Sequence, residues 1–292
     1  MSDTTHSVSL QQRLSSYTSL IRLPDWSRLA HKLALLLVLA SGVVAVVLSI
    51  KAKDSTSETA MAGVLGLLGV YGAWALTREL LVDDDWMPLL GAATALWVII
   101  VGRDLSLYML YATLFMVSMV QRNVGPRVTI IDALVMGGFT FAGMHYNLNM
   151  LFWFALFVAF ILDAVLRERA WRQMLFAVAC AGGGVYFDTL HKYMMRELGF
   201  VTLPPWGKWL FVLALVCFVL CFFVKRDTLL ADDGQTQLTN GRFRAGVVVA
   251  LLCGVTALFA GNIGLLNVGL VWAAMPAVGL GLLIHVARRF MS

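Results

Sequence analysis

The chain has 292 residues, of which 60% are hydrophobic and 13% charged, and its formal net charge at pH 7 is +5. This composition excludes an ordinary soluble globular protein, because such a protein needs a more polar surface. The basic residues are scattered over loops beside apolar segments. We therefore predict that they set membrane topology, with the lipid bilayer and no nucleic acid as the partner.

Residues 1–29 are mostly polar and predict a cytoplasmic N-terminal tail, because they lack the apolar core of a signal peptide. Apolar side chains are mixed with Arg22 and Arg28 over residues 20–29. This part of the tail is therefore either a short amphipathic helix at the membrane interface or a simple continuation of the tail.

Apolar segments follow along nearly the whole chain, each close to the roughly 20 residues that cross a hydrocarbon core of about 30 Å. Because they are continuously apolar rather than alternating, they predict helices and argue against a β-barrel. We therefore predict an all-α polytopic integral membrane bundle of about ten transmembrane helices, in which the third and fourth spans are short enough for a re-entrant hairpin. The predicted spans are 33–50, 60–76, 86–101, 105–120, 128–144, 148–166, 173–191, 206–224, 245–261 and 265–286.

These spans divide into an eight-span bundle over residues 30–226, a cytoplasmic linker over 227–244 and a two-span C-terminal hairpin over 245–292. Lys and Arg are concentrated in alternate loops, with the loop from Lys192 to Lys208 as the exception. By the positive-inside rule, both termini are predicted to be cytoplasmic. The short loops and the lack of a targeting segment favour a bacterial inner membrane.

The densest group of ionisable residues lies between the second and third spans, from Thr77 to Trp86. Its three consecutive aspartates, Asp83, Asp84 and Asp85, supply the oxygen ligands that Mg²⁺ prefers, and such an ion could bridge to a lipid diphosphate. Alternatively, Asp84 or Asp85 caps the third span at the positive end of its dipole.

Several other charged residues lie near the predicted inner face. Arg78, Arg122 and Arg127 are candidates for binding phosphate or lipid headgroups. Glu79, Asp132 and Asp163 are carboxylates at the ends of spans, where ionisable groups are costly and often functional. These three either line a cytoplasm-facing polar cavity or pair individually with nearby arginines.

The seventh span contains Gly182-Gly183-Gly184, followed by Asp188 and His191. Three glycines weaken a helix and permit either unwinding or close packing. Asp188 and His191 share a helix face at i and i+3, and together they form either a proton relay near the outer side or an ordinary interfacial pair.

Glycines at every third position of the second span, from Gly63 to Gly72, form a stripe suited to tight helix packing. No nucleotide-binding or hydrolase signature is present in the sequence. About ten spans in about 300 residues, with both ends inside, is similar in size and topology to the drug/metabolite transporter superfamily.

Three functional hypotheses follow. The first is a secondary transporter or lipid carrier with an intramembrane polar cavity. The second is a membrane-embedded, Mg-dependent enzyme that acts on a lipid-linked phosphate substrate. The third is a non-catalytic assembly partner, in which the glycine stripe contacts a second copy or another membrane protein.

Overall fold

A computed structural model describes residues 27–81, 84–102, 107–121, 129–145, 151–166, 171–191, 205–223, 229–230, 237–256 and 262–291. Within these ranges the chain forms ten helices and one short antiparallel ladder of two strands. The helices are α1 (Leu29–Ala52), α2 (Thr56–Leu80), α3 (Met87–Gly102), α4 (Leu107–Gln121), α5 (Ile130–His145), α6 (Leu151–Val165), α7 (Trp171–His191), α8 (Pro205–Phe223), α9 (Asn240–Thr256) and α10 (Asn262–Met291).

Each helix overlaps one predicted span, so the prediction of an all-helical membrane-type chain is confirmed at that level. Three helical segments are long and apolar enough to cross a membrane: Leu29–Ala52, Thr56–Leu80 and Gly269–Arg288. By contrast, α3 and α4 have 16 and 15 residues. At about 1.5 Å per residue they measure about 24 and 22 Å, less than a hydrocarbon core of about 30 Å. The full count of ten crossings and the cytoplasmic position of the termini stay predictions.

Helices α1 and α2 pack closely because small residues face each other. The Ser41 hydroxyl of α1 donates a hydrogen bond to the Gly66 carbonyl of α2 at 2.9 Å. A Cβ atom on Gly66 would lie only 2.8 Å from the Ser41 carbonyl oxygen and from the Ala45 side chain. Further along α2, Gly72 lies against Leu110 of α4. The glycine stripe is therefore covered from within the chain.

Helix α2 is the central helix, in contact with α1, α3, α4 and α10. Two contacts set its direction relative to α4, since Gly69 lies near Leu107 and Gly72 near Leu110. The two helices therefore run parallel, and both end on the same side of the bundle. Because α1 and α3 flank α2 antiparallel through short turns, they begin on that side.

Helix α9 is antiparallel to α4, since Gly246 lies beside Gln121 and Cys253 lies beside Met116. Helices α6 and α7 are also antiparallel. Their register is given by the Phe160 and Phe176 rings, whose centroids are 5.7 Å apart.

The last two helices are packed into the bundle. Helix α9 lies mainly against α4 and α6, and α10 lies mainly against α3 and α8. The Thr94 hydroxyl of α3 donates to the Ala273 carbonyl of α10 at 2.5 Å. The strands β1 (Leu229–Leu230) and β2 (Gln237–Leu238) lie within the predicted linker, and α9 begins inside it at Asn240.

Candidate functional site

The buried acidic, histidine and arginine side chains of the described residues lie close to helix ends. Each is within three residues of the start or the end of its helix. Two buried glutamines share this position, one at the end of α4 and one at the start of α7. We call the seven residues the polar layer: His31, Arg78, Glu79, Gln121, Asp132, Asp163 and Gln173.

The helix directions place much of this layer on one side of the bundle. The ends of α2 and α4 share that side because the two helices run parallel. The start of α9 lies beside the end of α4, and the start of α7 faces the end of α6. Most of the layer therefore lies near one side of the bundle, while the middle of the helices holds apolar and small polar side chains.

His31 and Arg78 of the polar layer belong to a group of side chains around Trp74. We call it the Trp74 cluster and define it as Arg28, His31, Trp74, Arg78 and Asp85. The Arg78 guanidinium carbon lies 5.4 Å from the Trp74 ring centroid, within cation–π distance. The His31 ring meets the same indole edge-on, with centroids 5.4 Å apart. A histidine and an arginine therefore contact one buried aromatic ring.

Asp85 closes the cluster toward solvent. Its Oδ1 accepts a hydrogen bond from Arg28 Nη1 at 2.6 Å, and His31 Nε2 lies 3.9 Å from the same oxygen. The Arg28 and Asp85 side chains are 49% and 39% exposed, so this edge is open, whereas the His31 side chain is 1% exposed. The cluster thus extends from the surface to the buried indole.

Two of the three predicted magnesium ligands, Asp84 and Asp85, are described, and they bind different partners. Asp84 Oδ1 accepts from the backbone amides of Trp86 and Met87 at 2.8 and 3.0 Å, which is the capping role for α3. Asp85 instead binds Arg28. Asp83 lies outside the described residues. Among the residues that the structure describes, no group of three His, Cys, Asp or Glu side chains is placed to hold a metal ion.

Arg242, the third residue of α9, binds Asp163 of the polar layer. Its Nη1 donates to Asp163 Oδ1 at 3.2 Å and to the Val120 carbonyl at 2.9 Å, and its Nη2 donates to the Leu166 carbonyl at 3.2 Å. Both carbonyls belong to helix ends, where C=O groups lack intrahelical partners and the dipole favours a cation. We call these four residues the Arg242 junction. Asp163 is therefore paired with an arginine, as one of its two interpretations predicted.

Two glutamines extend this junction. Gln121 Nε2 donates to the Phe243 carbonyl at 3.4 Å. Gln173 lies one turn into α7, at the level of Asp163 according to the Phe160 and Phe176 register. Its Nε2 is buried and has no hydrogen-bond partner among the described residues. Asp163 and the two glutamines are thus all polar and buried.

Asp132 has a local role at the start of α5. Its Oδ2 accepts from the Thr129 backbone amide at 2.8 Å, and its own amide donates to the Thr129 hydroxyl at 3.1 Å. This reciprocal pair satisfies two orphan donors of the helix N-terminus, as a capping box does.

Several predicted residues are not placed. Arg122 and Arg127 lie outside the described residues. Asp188 and His191 lie in the last turn of α7, but their side chains are outside the part that the structure describes. Helix α7 continues through the three glycines without unwinding, and a Cβ atom on Gly183 would be 3.7 Å from Trp153.

The structure adds three residues that sequence reasoning missed as site residues: His31, Trp74 and Arg242. His31 is a lone histidine at the start of an apolar segment, which is a weak signal. Arg242 lay in the predicted linker.

Comparisons of the chain with protein-family models, with curated proteins and with solved structures find no match.

Proposed function

We propose that this chain is a secondary transporter or lipid carrier whose substrate binds at the polar layer. The observation that supports this proposal is the concentration of the buried ionisable side chains near one side of the bundle. A bundle selected for stability alone gains little from such groups, since replacing a buried ion pair by well-packed apolar residues is often neutral or stabilising. Ionisable residues kept within membrane helices are candidates for substrate or proton pathways.

Among the three predicted inner carboxylates, we propose a role in transport for Glu79. Asp132 takes part in a helix cap and Asp163 in the Arg242 junction. Glu79 is 2% exposed and lies next to Arg78 at the end of α2. It is therefore one residue along α2 from a member of the Trp74 cluster.

The test is movement of fluorescent short-chain lipids across liposomes that contain the purified protein. We expect the protein to accelerate exchange of an anionic lipid between leaflets, and Glu79→Gln to slow this exchange by about tenfold or more, as loss of a charged-group contact would. Glu58→Gln is the matched control, because Glu58 is exposed and glutamine also completes the capping box at the start of α2.

If the protein is folded and the rate of lipid exchange in liposomes with wild-type protein equals that in protein-free liposomes, the proposal is overturned. Equal exchange rates for Glu79→Gln and wild type would show that Glu79 has no role in transport.

The two alternative functions have less support in the described residues. Asp84 and Asp85 have separate partners, and the glycine stripe is covered by helices of the same chain.

A further inference from the structure

We propose that the Trp74 cluster binds the phosphate headgroup of an anionic lipid, and that the Asp85 carboxylate occupies the phosphate position in the unliganded protein. The role of this lipid as the carried substrate rests on the proposed function. The binding itself does not require transport and is tested separately.

The cluster supplies donors and positive charge from two helices. Arg28 and His31 come from the start of α1, and Arg78 comes from the end of α2. The Trp74 indole N–H adds a donor that has no hydrogen-bond partner among the described residues, although the side chain is only 2% exposed. Buried donors nearly always have an acceptor, so an unpaired indole N–H on a ring that contacts Arg78 and His31 points to a ligand acceptor.

The start of α1 reinforces this preference for an anion. Arg28 is the N-cap residue and gives the helix no side-chain cap, and the first turn contains no acidic residue. The first amides and the positive end of the helix dipole therefore favour a negative group here. In this structure the Asp85 carboxylate lies beside Arg28.

Asp85 is a carboxylate in a position suited to phosphate. One oxygen lies 2.6 Å from Arg28 and 3.9 Å from His31, so a single acceptor already lies between two basic side chains. A phosphate offers more acceptor oxygens and more charge, and it can bind an arginine in bidentate fashion. Because Asp85 is on a short turn and 39% exposed, it can move aside.

The surroundings favour a lipid over a free phosphate ion. Leu29, Leu33 and Leu36 recur on one face of α1, and all three are exposed large apolar side chains. This strip begins beside Arg28 and runs away from the cluster along the helix. An acyl chain on the strip would place its phosphate at Arg28 and His31.

The experiment measures binding of three probes in detergent at fixed salt: dihexanoyl phosphatidic acid, dihexanoyl phosphatidylcholine and inorganic phosphate. Titration calorimetry gives the affinity and thermal unfolding gives an independent shift. We expect phosphatidic acid to bind more tightly than the other two. Arg28→Gln should weaken it about tenfold, since a hydrogen bond to a charged group is lost. Trp74→Phe, which removes the N–H and keeps a ring, should weaken it severalfold.

Asp85→Asn is the decisive variant, because it removes the competing charge and keeps the side-chain shape. We expect it to strengthen phosphatidic acid binding, whereas Arg244→Gln, at an exposed position outside the cluster, should leave binding unchanged. Inorganic phosphate bound as tightly as the lipid would overturn the lipid assignment. Binding that is absent, or unchanged in Arg28→Gln, Trp74→Phe and Asp85→Asn, would overturn the site. If phosphatidic acid binds as expected but the protein does not accelerate lipid exchange between leaflets, the binding site is supported and only the proposed function is overturned.

Discussion

The single side chain of Arg242 joins α9 to the ends of α4 and α6. It binds a buried carboxylate of α6 and the end carbonyls of α4 and α6. We expect Arg242→Gln to lower the free energy of unfolding by about 3 kcal/mol, because it leaves a buried carboxylate without its counter-charge. Thermal unfolding of the purified protein in detergent measures this loss.

The exposed neighbour Arg244 provides the control, since surface substitutions usually change stability by about 0.5 kcal/mol or less. The double variant Arg242→Gln with Asp163→Asn should recover part of the loss, because the unpaired charge is gone. An Arg242→Gln protein as stable as the wild type would contradict the importance of the junction.

At this scale the sequence marked the intramembrane carboxylates as unusual but did not predict their partners. The position of Asp163 inside an apolar segment marked it as costly, and pairing with an arginine was one of two interpretations. Its partner, however, is 79 residues away in the chain, in a stretch predicted to be a linker. Arg78 follows Trp74 at the i+4 spacing of one helix face, but His31 lies on a different helix, so only the packing of α1 on α2 reveals its contact with Trp74.

The packing of α1 against α2 depends on small residues. Replacing a packed glycine and an unpacked glycine by alanine separates the effect of packing from that of helix propensity. A Cβ atom on Gly66 would approach the Ser41 carbonyl to 2.8 Å, whereas one on Gly138 would meet nothing within 4 Å. We expect Gly66→Ala to destabilise the protein by about 1–3 kcal/mol through overpacking. Gly138→Ala should be neutral or stabilising by up to about 1 kcal/mol, because alanine favours a helix.

Thermal unfolding of the two variants side by side measures the difference. Equal stability of Gly66→Ala and Gly138→Ala would show that α1 and α2 can separate at little cost.

The existence of each helix followed from hydropathy, because apolar segments of that length have few other solutions in a membrane. The neighbours of each helix could not be predicted, because apolar faces of similar composition leave many packing arrangements equally plausible.

For the molecule as a whole, the side of the membrane on which the polar layer lies is the main open prediction. We expect it to be cytoplasmic, with the α1–α2 turn on the outside. A variant with all four cysteines replaced by alanine provides the background. Lys51→Cys should then react with a membrane-impermeant maleimide in intact cells, and Trp86→Cys, on the opposite turn, only after permeabilisation.

Both positions are exposed, so accessibility of the side chain itself does not limit the reaction. Labelling of both cysteines from one side would contradict the α2 crossing. Labelling with the sides exchanged would invert the predicted topology and place the Trp74 cluster at the outer leaflet.

The Arg242 junction also has a consequence for biosynthesis. Asp163 precedes its counter-charge by 79 residues, so at about 5–20 residues per second a ribosome needs about 4–16 s to synthesise the partner. During that interval the nascent chain holds α6 with its carboxylate lacking Arg242. A messenger RNA truncated between these two codons therefore yields a product in which Asp163 lacks this counter-charge, and that defect distinguishes an unfinished chain from a finished one.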